Sequence, residues 1–244
     1  MKKYWGKLVI LAIILTISSY FVMGILLPKP QETSIITSTP IPATEPTPTP
    51  SQEDIQYEQE YDSNKTINPE YIGRITFSSK IVDQNVVQTT DNEKYLHYAW
   101  DLQKSTQGAA FMDYQNVPTD QNLILYGHYV YYDENAMFTQ LEKLLTFENY
   151  ESNKEITFRL EHEKREYIIT DVFYYNLDQD KPQYYYPNYT EEEFHTFYHD
   201  VKEADLYDTG NSITYEDRWL TIQTCVRNHD ELREIIIAKE VSVS

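Results

Sequence analysis

Trp219-Leu220-Thr221-Ile222-Gln223-Thr224-Cys225, followed after a polar insert by Arg233-Glu234-Ile235-Ile236-Ile237-Ala238-Lys239-Glu240-Val241, is the stretch on which the reading of this chain turns. β-Branched and aromatic residues dominate the first segment, which reads as a strand ending at a thiol. The insert Val226 to Leu232 is polar and turn-like, and Arg233 opens the second apolar run. If the two strands are neighbours, a thiol at the end of one lies near a guanidinium at the start of the next. Cys225 is the only cysteine in the 244 residues, so it has no disulfide partner within the chain.

The chain before this pair is mostly strand signals. Tyr71 to Phe77 alternates apolar and polar residues and reads as a first strand, with Val86-Val87 a short extended piece. Tyr95 to Leu102 has helix-compatible spacing, which Gly108 breaks before Ala109-Ala110-Phe111-Met112. Asn122-Leu123-Ile124-Leu125-Tyr126-Gly127 reads as a buried strand ending in glycine, and His128 follows directly. Met137, Phe138, Leu141, Leu144 and Leu145 fall on one face at helical spacing, a stripe read as core packing. Glu155 to Leu160 and Glu166 to Tyr175 read as a hairpin joined around Glu163-Lys164. Lys181 to Pro187 breaks regular structure. Thr190 with Glu193 forms a capping box opening a helix with Phe194, Phe197, Tyr198, Val201 and Ala204 on one face. Many strands with a few short helices in the connections predict a mainly β fold, a barrel or rolled sheet, and not a βαβ architecture.

The N-terminal part differs in composition. Lys2, Lys3 and Lys7 precede an uncharged, mostly apolar segment over residues 8–27, about the ~20 residues a bilayer-crossing helix needs. A cleaved secretory signal is the rival, but its apolar region is shorter, roughly 7–15 residues, and no A-x-A-like site is found. The basic start predicts a cytoplasmic residue 1–7 segment, a single membrane anchor and an external C-terminal part. Pro28 to Pro50 is Pro/Thr/Ser-rich and reads as a semi-rigid spacer. The acidic run Gln52 to Asp62 reads as a solvated or poorly ordered lead-in. The expected organisation is therefore anchor 8–27, linker 28–67 and globular domain 68–244. The net charge of -19 argues against nucleic acid as a partner.

Cys225, His128 and Arg233 suit a nucleophilic chemistry. A free thiol is mostly protonated at neutral pH, and a neighbouring cation stabilises the reactive thiolate. Attack on a carbonyl develops negative charge on oxygen, for which the planar donors of Arg233 are fitted. His128, after a strand-ending glycine, suits proton transfer to a leaving amine. Spacing alone leaves other readings open. A lone cysteine is often a small core hydrophobe, and either Arg227 or Arg233 can be a solvated surface charge. His195 and His199 stand four apart, yet HTFYH lacks the glutamate of the zinc-protease pattern, so the pair reads as a helix face.

Together these residues resemble the sortases, membrane-anchored cysteine transpeptidases of Gram-positive-type cell surfaces, and class B most closely. The TLxTC motif is matched by Thr221-Ile222-Gln223-Thr224-Cys225, with Ile for Leu. The arginine before a terminal hydrophobic strand is matched by Arg233, and the histidine motif by Tyr126-Gly127-His128 followed by Met137-Phe138. Val86 to Leu96 and the long helix-bearing connection Tyr175 to Asp217 are also class B-like, and the similarity spans about Tyr71 to Val241. Two departures stand beside the site, Tyr129 in place of asparagine and Gln223 in place of serine. The resemblance implies a closed sortase-type β-barrel with Cys225 as nucleophile, His128 as acid/base and Arg233 as stabiliser of the transition state. It further implies Asn92, Leu96, Gln223 and Thr224 as substrate-binding residues, and neither a metal nor a cofactor. The implied partners are surface proteins bearing a sorting motif, an acceptor amine from a cell-wall precursor or a pilin, and the membrane through the N-terminal helix. The alternative is a sortase-like binding module without activity.

Overall fold

The structure, a computed structural model, describes residues 51–244. Eight strands close into a barrel: β1 (Tyr71–Phe77), β2 (Asp83–Val87), β3 (Ala110–Met112), β4 (Asn122–Tyr126), β5 (Glu155–Arg159), β6 (Lys164–Asn176), β7 (Trp219–Val226) and β8 (His229–Val243). Their order around the barrel is β1-β2-β3-β4-β7-β8-β6-β5, with β5 returning to β1. The β2–β3 and β4–β7 pairs are parallel and the others antiparallel. A parallel neighbour cannot be reached by a tight turn, and the long connection from β4 to β7 accordingly contains the one-turn helix α2 (Tyr150–Asn153), β5, β6 and a longer helix. The expected mainly β barrel with short helices in its connections is what forms.

Alternation along each strand sorts the side chains into two sets. Leu123 and Leu125 of β4, Leu220 and Ile222 of β7, and Ile236 and Ala238 of β8 share the barrel interior with Ile75, Phe158 and Val172. Trp219, Ile235 and Ile237 point outward, where helix α3 (Glu191–Ala204) covers them with Phe194, Phe197 and Val201. The run Ile235-Ile236-Ile237-Ala238 is therefore buried on both faces, which is why it reads as continuous rather than alternating. Burying each large side chain of the α3 stripe contributes at most about 1.5–3 kcal/mol. Thr190 and Glu193 cap α3 reciprocally, as their spacing predicts.

Three expectations change. The acidic lead-in is helix α1 (Gln52–Ile67), opened by a Ser51–Asp54 capping box. It docks on the barrel: the Tyr57 hydroxyl donates to the Arg159 carbonyl at 2.7 Å, Arg159 pairs with Asp54 at 2.9 Å, and Tyr61 packs on Tyr71. The Ser51 hydroxyl and Arg159 together hold the Asp54 carboxyl down at about 2. The helix expected over Tyr95 to Leu102 is one 3-10 turn, Lys94–Leu96. Beyond it the chain folds back, with Ala99 donating to the Gln103 carbonyl and Leu102 at φ 68. The third change concerns the membrane. Among the described residues no helix is long and apolar enough to cross one. That corrects the membrane-spanning helix as part of this fold, and the membrane contact and single-pass cell-membrane location resting on it lose their structural support. The anchor expected over residues 8–27 lies outside the described residues.

Candidate active site

Register brings the three candidate residues to one place. On the parallel pair, Tyr126 of β4 stands opposite Gln223 of β7, and the Gly127 amide donates to the Gln223 carbonyl at 3.2 Å. Two residues farther along each chain are His128 and Cys225, level with one another. On the antiparallel pair, Cys225 stands opposite Arg233. With Leu123, Leu125, Leu220, Ile222, Ile236 and Ala238 all inward, parity places His128, Cys225 and Arg233 outward. Neighbouring strands lie about 4.8 Å apart, so the three residues stand side by side on the outer face at one rim, with Cys225 in the middle. All three are half-buried. The inert-core reading of Cys225 does not fit a thiol that is partly open on the outer face.

Irregularities at the strand ends shape this rim. β7 and β8 are joined by the two-residue turn Arg227-Asn228, with Asn228 at φ 63. The register then jumps between Val226–His229 and Cys225–Arg233, so Asp230, Glu231 and Leu232 bulge out of the ladder. The bulge carbonyls orient the arginine: Nη1 donates to Asp230 at 2.9 Å and to Leu232 at 2.8 Å. Among the described residues neither Nε nor Nη2 of Arg233 has a recorded partner, which leaves those donors for a ligand oxygen. Arg227 is exposed at the turn and lines, with Tyr129, Tyr131 and Glu142, a cavity of about 380 Å³.

The imidazole is held from the other side. His128 Nε2 lies 3.0 Å from the Leu96 carbonyl. A carbonyl only accepts, so Nε2 carries a hydrogen and Nδ1 is the atom that gains or loses a proton. The ring also lies against Gly108, where an added Cβ would come within 2.9 Å of His128 Cδ2. Gly108 itself is at φ +63, and its neighbour Ala109 donates to the Tyr95 carbonyl at 2.9 Å. The turn that replaces the expected helix therefore supplies the histidine's acceptor. A continuing helix would have engaged that Leu96 carbonyl in its own ladder.

The remaining predicted residues serve varied contacts. Asn92 braces the loop ahead of the 3-10 turn: its amide donates to Asp113 at 2.9 Å and its carbonyl accepts from the Tyr114 amide at 3.0 Å. Leu96 is half-buried beside Tyr95, Ala109 and Phe111. Gln223 points outward and accepts from the Tyr184 hydroxyl. Thr224 is 1% exposed and faces the barrel interior, on the side of β7 away from Cys225. His195 and His199 are exposed on α3, away from this rim. Sequence reasoning missed Gly108 as a support of the histidine, Tyr184 as the partner of Gln223, and Glu234. Glu234 is fully buried inside the barrel, and burial, with a smaller push from Glu142, raises its carboxyl to about 8. Only the alternation of β8, which puts residue 234 in phase with Ile236, points to it in advance.

A thiol flanked by a proton-carrying imidazole and a fixed guanidinium can attack a carbonyl, protonate a leaving group and hold an oxyanion. The family model of the sortase domain matches residues 72–241. The chain is 26% identical over 189 residues to sortase B of Staphylococcus aureus, covering 76% of each. To sortase B of Listeria monocytogenes it is 28% identical over 192 residues, covering 72% of each. Among solved structures, sortase B of Clostridium perfringens superposes with a TM-score of 0.67 at 28% identity, covering 74% of this chain and 99% of that one. A Staphylococcus aureus sortase B–substrate complex gives a TM-score of 0.68 at 25% identity, covering 76% and 86%.

Proposed function

The chain belongs to the sortase family, and on that premise we propose that Cys225, His128 and Arg233 are the reacting groups of its cysteine transpeptidation on surface-protein sorting motifs. The observation that carries this assignment is that Cys225 of β7 stands opposite Arg233 of β8, while His128 follows β4 two residues beyond the Tyr126–Gln223 pair, as Cys225 does on β7. The Cys225 thiolate attacks the scissile carbonyl carbon, and the carbonyl electrons move onto oxygen. Nε and Nη2 of Arg233 hold that oxyanion. As it collapses, the C–N bond breaks and the departing amine takes the proton from His128 Nδ1, leaving a thioester on Cys225. An incoming amine, from a cell-wall precursor or a pilin lysine, then loses a proton to the same Nδ1 and attacks the thioester. A new amide forms and the thiolate leaves. Leu96 keeps Nδ1 the working atom throughout by fixing the hydrogen on Nε2.

The test is to incubate the full-length protein with a library of sorting-motif peptides and an amine, and to record the mass of the protein during turnover. An acyl adduct on Cys225 and an amide product are expected, with both absent in Cys225→Ala. Turnover that survives Cys225→Ala refutes the assignment.

A further inference from the structure

Inside the barrel, immediately behind Cys225 and Arg233, two polar side chains are stranded. Thr224 and Glu234 stand directly opposite each other on β7 and β8, each 1% exposed. They adjoin Cys225 and Arg233 in sequence but point to the other face. Among the described residues neither Thr224 Oγ1 nor Glu234 Oε1 has a hydrogen-bond partner. Opposed side chains in an antiparallel ladder have Cβ atoms about 4.5–5.5 Å apart; no direct hydrogen bond joins the two here, and one water spans such a gap. A hydroxyl and a carboxylate without a cation make a costly pair, because an unpaired buried charge is strongly disfavoured.

Among the described residues no cation pairs with Glu234; Arg227, which shares a cavity with Tyr129 and Glu142, is exposed at the hairpin turn. Tyr174 faces Glu234 from β6, Tyr207 from the segment after α3, Tyr129 from the segment after β4, and Glu142 from the 3-10 helix Thr139–Leu145. The guanidinium of Arg233 is on the opposite face of β8. Glu142 accepts from the Tyr129 hydroxyl at 2.7 Å and is itself a carboxylate that opposes a second charge nearby. A protonated Glu234 resolves the conflict, since its O–H is a donor and Thr224 Oγ1 an acceptor.

We propose that Glu234 is a positioning residue of the transpeptidase: uncharged, it shares a bridging water with Thr224 and keeps β7 and β8 level beneath Cys225 and Arg233, and its ionisation turns the enzyme off. The idea rests on Cys225 being the nucleophile. When the proton leaves, the Thr224 hydroxyl can still act as donor, but an unscreened negative charge appears behind the sulfur. That charge opposes both the thiolate and the oxyanion, the two anions the reaction must form.

The experiment compares the full-length wild-type protein with Glu234→Gln, whose amide keeps a donor toward Thr224 at every pH. Two readouts are taken across about pH 6 to 10: peptide-to-amine transfer, and alkylation of Cys225 by iodoacetamide, which needs no turnover. The alkaline fall of wild-type kcat is expected to have its midpoint near the carboxyl's own titration, about pH 8. In Glu234→Gln that fall moves up by about one pH unit while KM is unchanged, and alkylation at about pH 9 runs roughly threefold to tenfold faster than in wild type. Glu234→Ala, which loses the bridge as well as the charge, is slower than Glu234→Gln at neutral pH. Alkylation profiles of wild type and Glu234→Gln that superimpose overturn the proposal, and so does an alkaline limb that does not move. If the wild-type protein shows no transfer at any pH, the nucleophile assignment fails, and the alkylation profiles alone then decide whether Glu234 controls the thiol.

Discussion

Gly108 supports the imidazole by having no side chain, and replacing it separates two effects that are usually confounded. Gly108 and Gly210 both have left-handed backbone, at φ +63 and +74. An L-residue there costs about 1–2 kcal/mol from backbone strain alone. The environments differ. A Cβ at Gly210 meets nothing within 4 Å, whereas one at Gly108 would lie 2.5 Å from the Tyr95 carbonyl oxygen and 2.9 Å from His128 Cδ2. The Tyr95 carbonyl cannot swing aside without breaking its bond to the Ala109 amide. The imidazole has to give, and it moves away from the Leu96 carbonyl that fixes its tautomer. Overpacking of this kind adds about 1–3 kcal/mol, so Gly108→Ala is expected to cost about 2–5 kcal/mol against about 1–2 for Gly210→Ala.

A domain with an ordinary stability of about 5–15 kcal/mol survives that loss, so activity can be read on folded protein. A shift of the proposed acid/base His128 by up to about 1 Å lowers turnover by about 10- to 100-fold, and on the proposed mechanism the loss falls in kcat because that group acts in the chemical step. Urea unfolding of both variants gives the stability difference, and peptide-to-amine transfer well below the unfolding midpoint gives the kinetics. Gly210→Ala is expected to transfer at the wild-type rate. Equal stability losses in the two variants, with Gly108→Ala turning over within about twofold of wild type, would show that residue 108 does not confine the ring.

Arg233→Ala should lower kcat by about 10²- to 10³-fold, the usual cost of losing an oxyanion donor, while Arg227→Ala changes it little; the opposite ranking would move the oxyanion site to the hairpin turn. Tyr61→Ala removes the ring that docks α1 on Tyr71, and a stability loss of about 2–4 kcal/mol is expected, with early proteolysis confined to residues 52–67. The Asp205 carboxyl is pushed up to about 7, chiefly by burial, against the opposing effect of its bond to Lys202 and with repulsion from Asp171. Its folded value lies above the unfolded one of about 3.8. The associated stability is therefore fully present below about pH 4 and is lost as pH rises through about 7. Urea unfolding across that range should show wild type losing stability relative to Asp205→Asn, and a constant difference would contradict it.

What could be read from the sequence depended on how far each signal reached along the chain. The strands of the barrel carried local alternation or apolar runs, and α3 carried both its capping box and its stripe, so each was recognisable alone. Helix α1 was missed although Ser51 and Asp54 have capping-box spacing and Tyr57 and Tyr61 stand four apart. Its buried face is made of tyrosines and Asn64, and its partners Tyr71 and Arg159 are distant in sequence. The Tyr95 to Leu102 stretch has helical spacing, but Tyr95 is committed to Asn68 and Glu70 and the Leu96 carbonyl to His128. Tertiary contacts of this kind override local propensity. Cys225, His128 and Arg233 were identifiable as chemistry and as motifs; that they share one face follows from pairings invisible in a linear text.

The same burial that stabilises the barrel also sets the site. A one-residue slip of β7 would exchange the faces of all its side chains. It would bring the Thr224 hydroxyl to the outer face, withdraw the thiol, and put Trp219 and Thr221 into the barrel interior in place of Leu220 and Ile222, where overpacking and an unpaired hydroxyl each cost about 1–3 kcal/mol. The inward apolar residues thus hold the nucleophile outward although they touch no substrate. Gly127 extends the logic on β4: it takes the inward position between Leu125 and the Val130 segment, where any Cβ would run into the Phe138 ring. Its lack of a side chain lets the chain pass close and deliver His128 at the level of Cys225. Glu234 breaks the pattern, occupying an inward position that Ile236 and Ala238 fill with hydrocarbon farther along β8. A carboxyl there does not help the barrel close; across its two ladders it meets Tyr174 of β6 and, on β7, Thr224, the residue before Cys225.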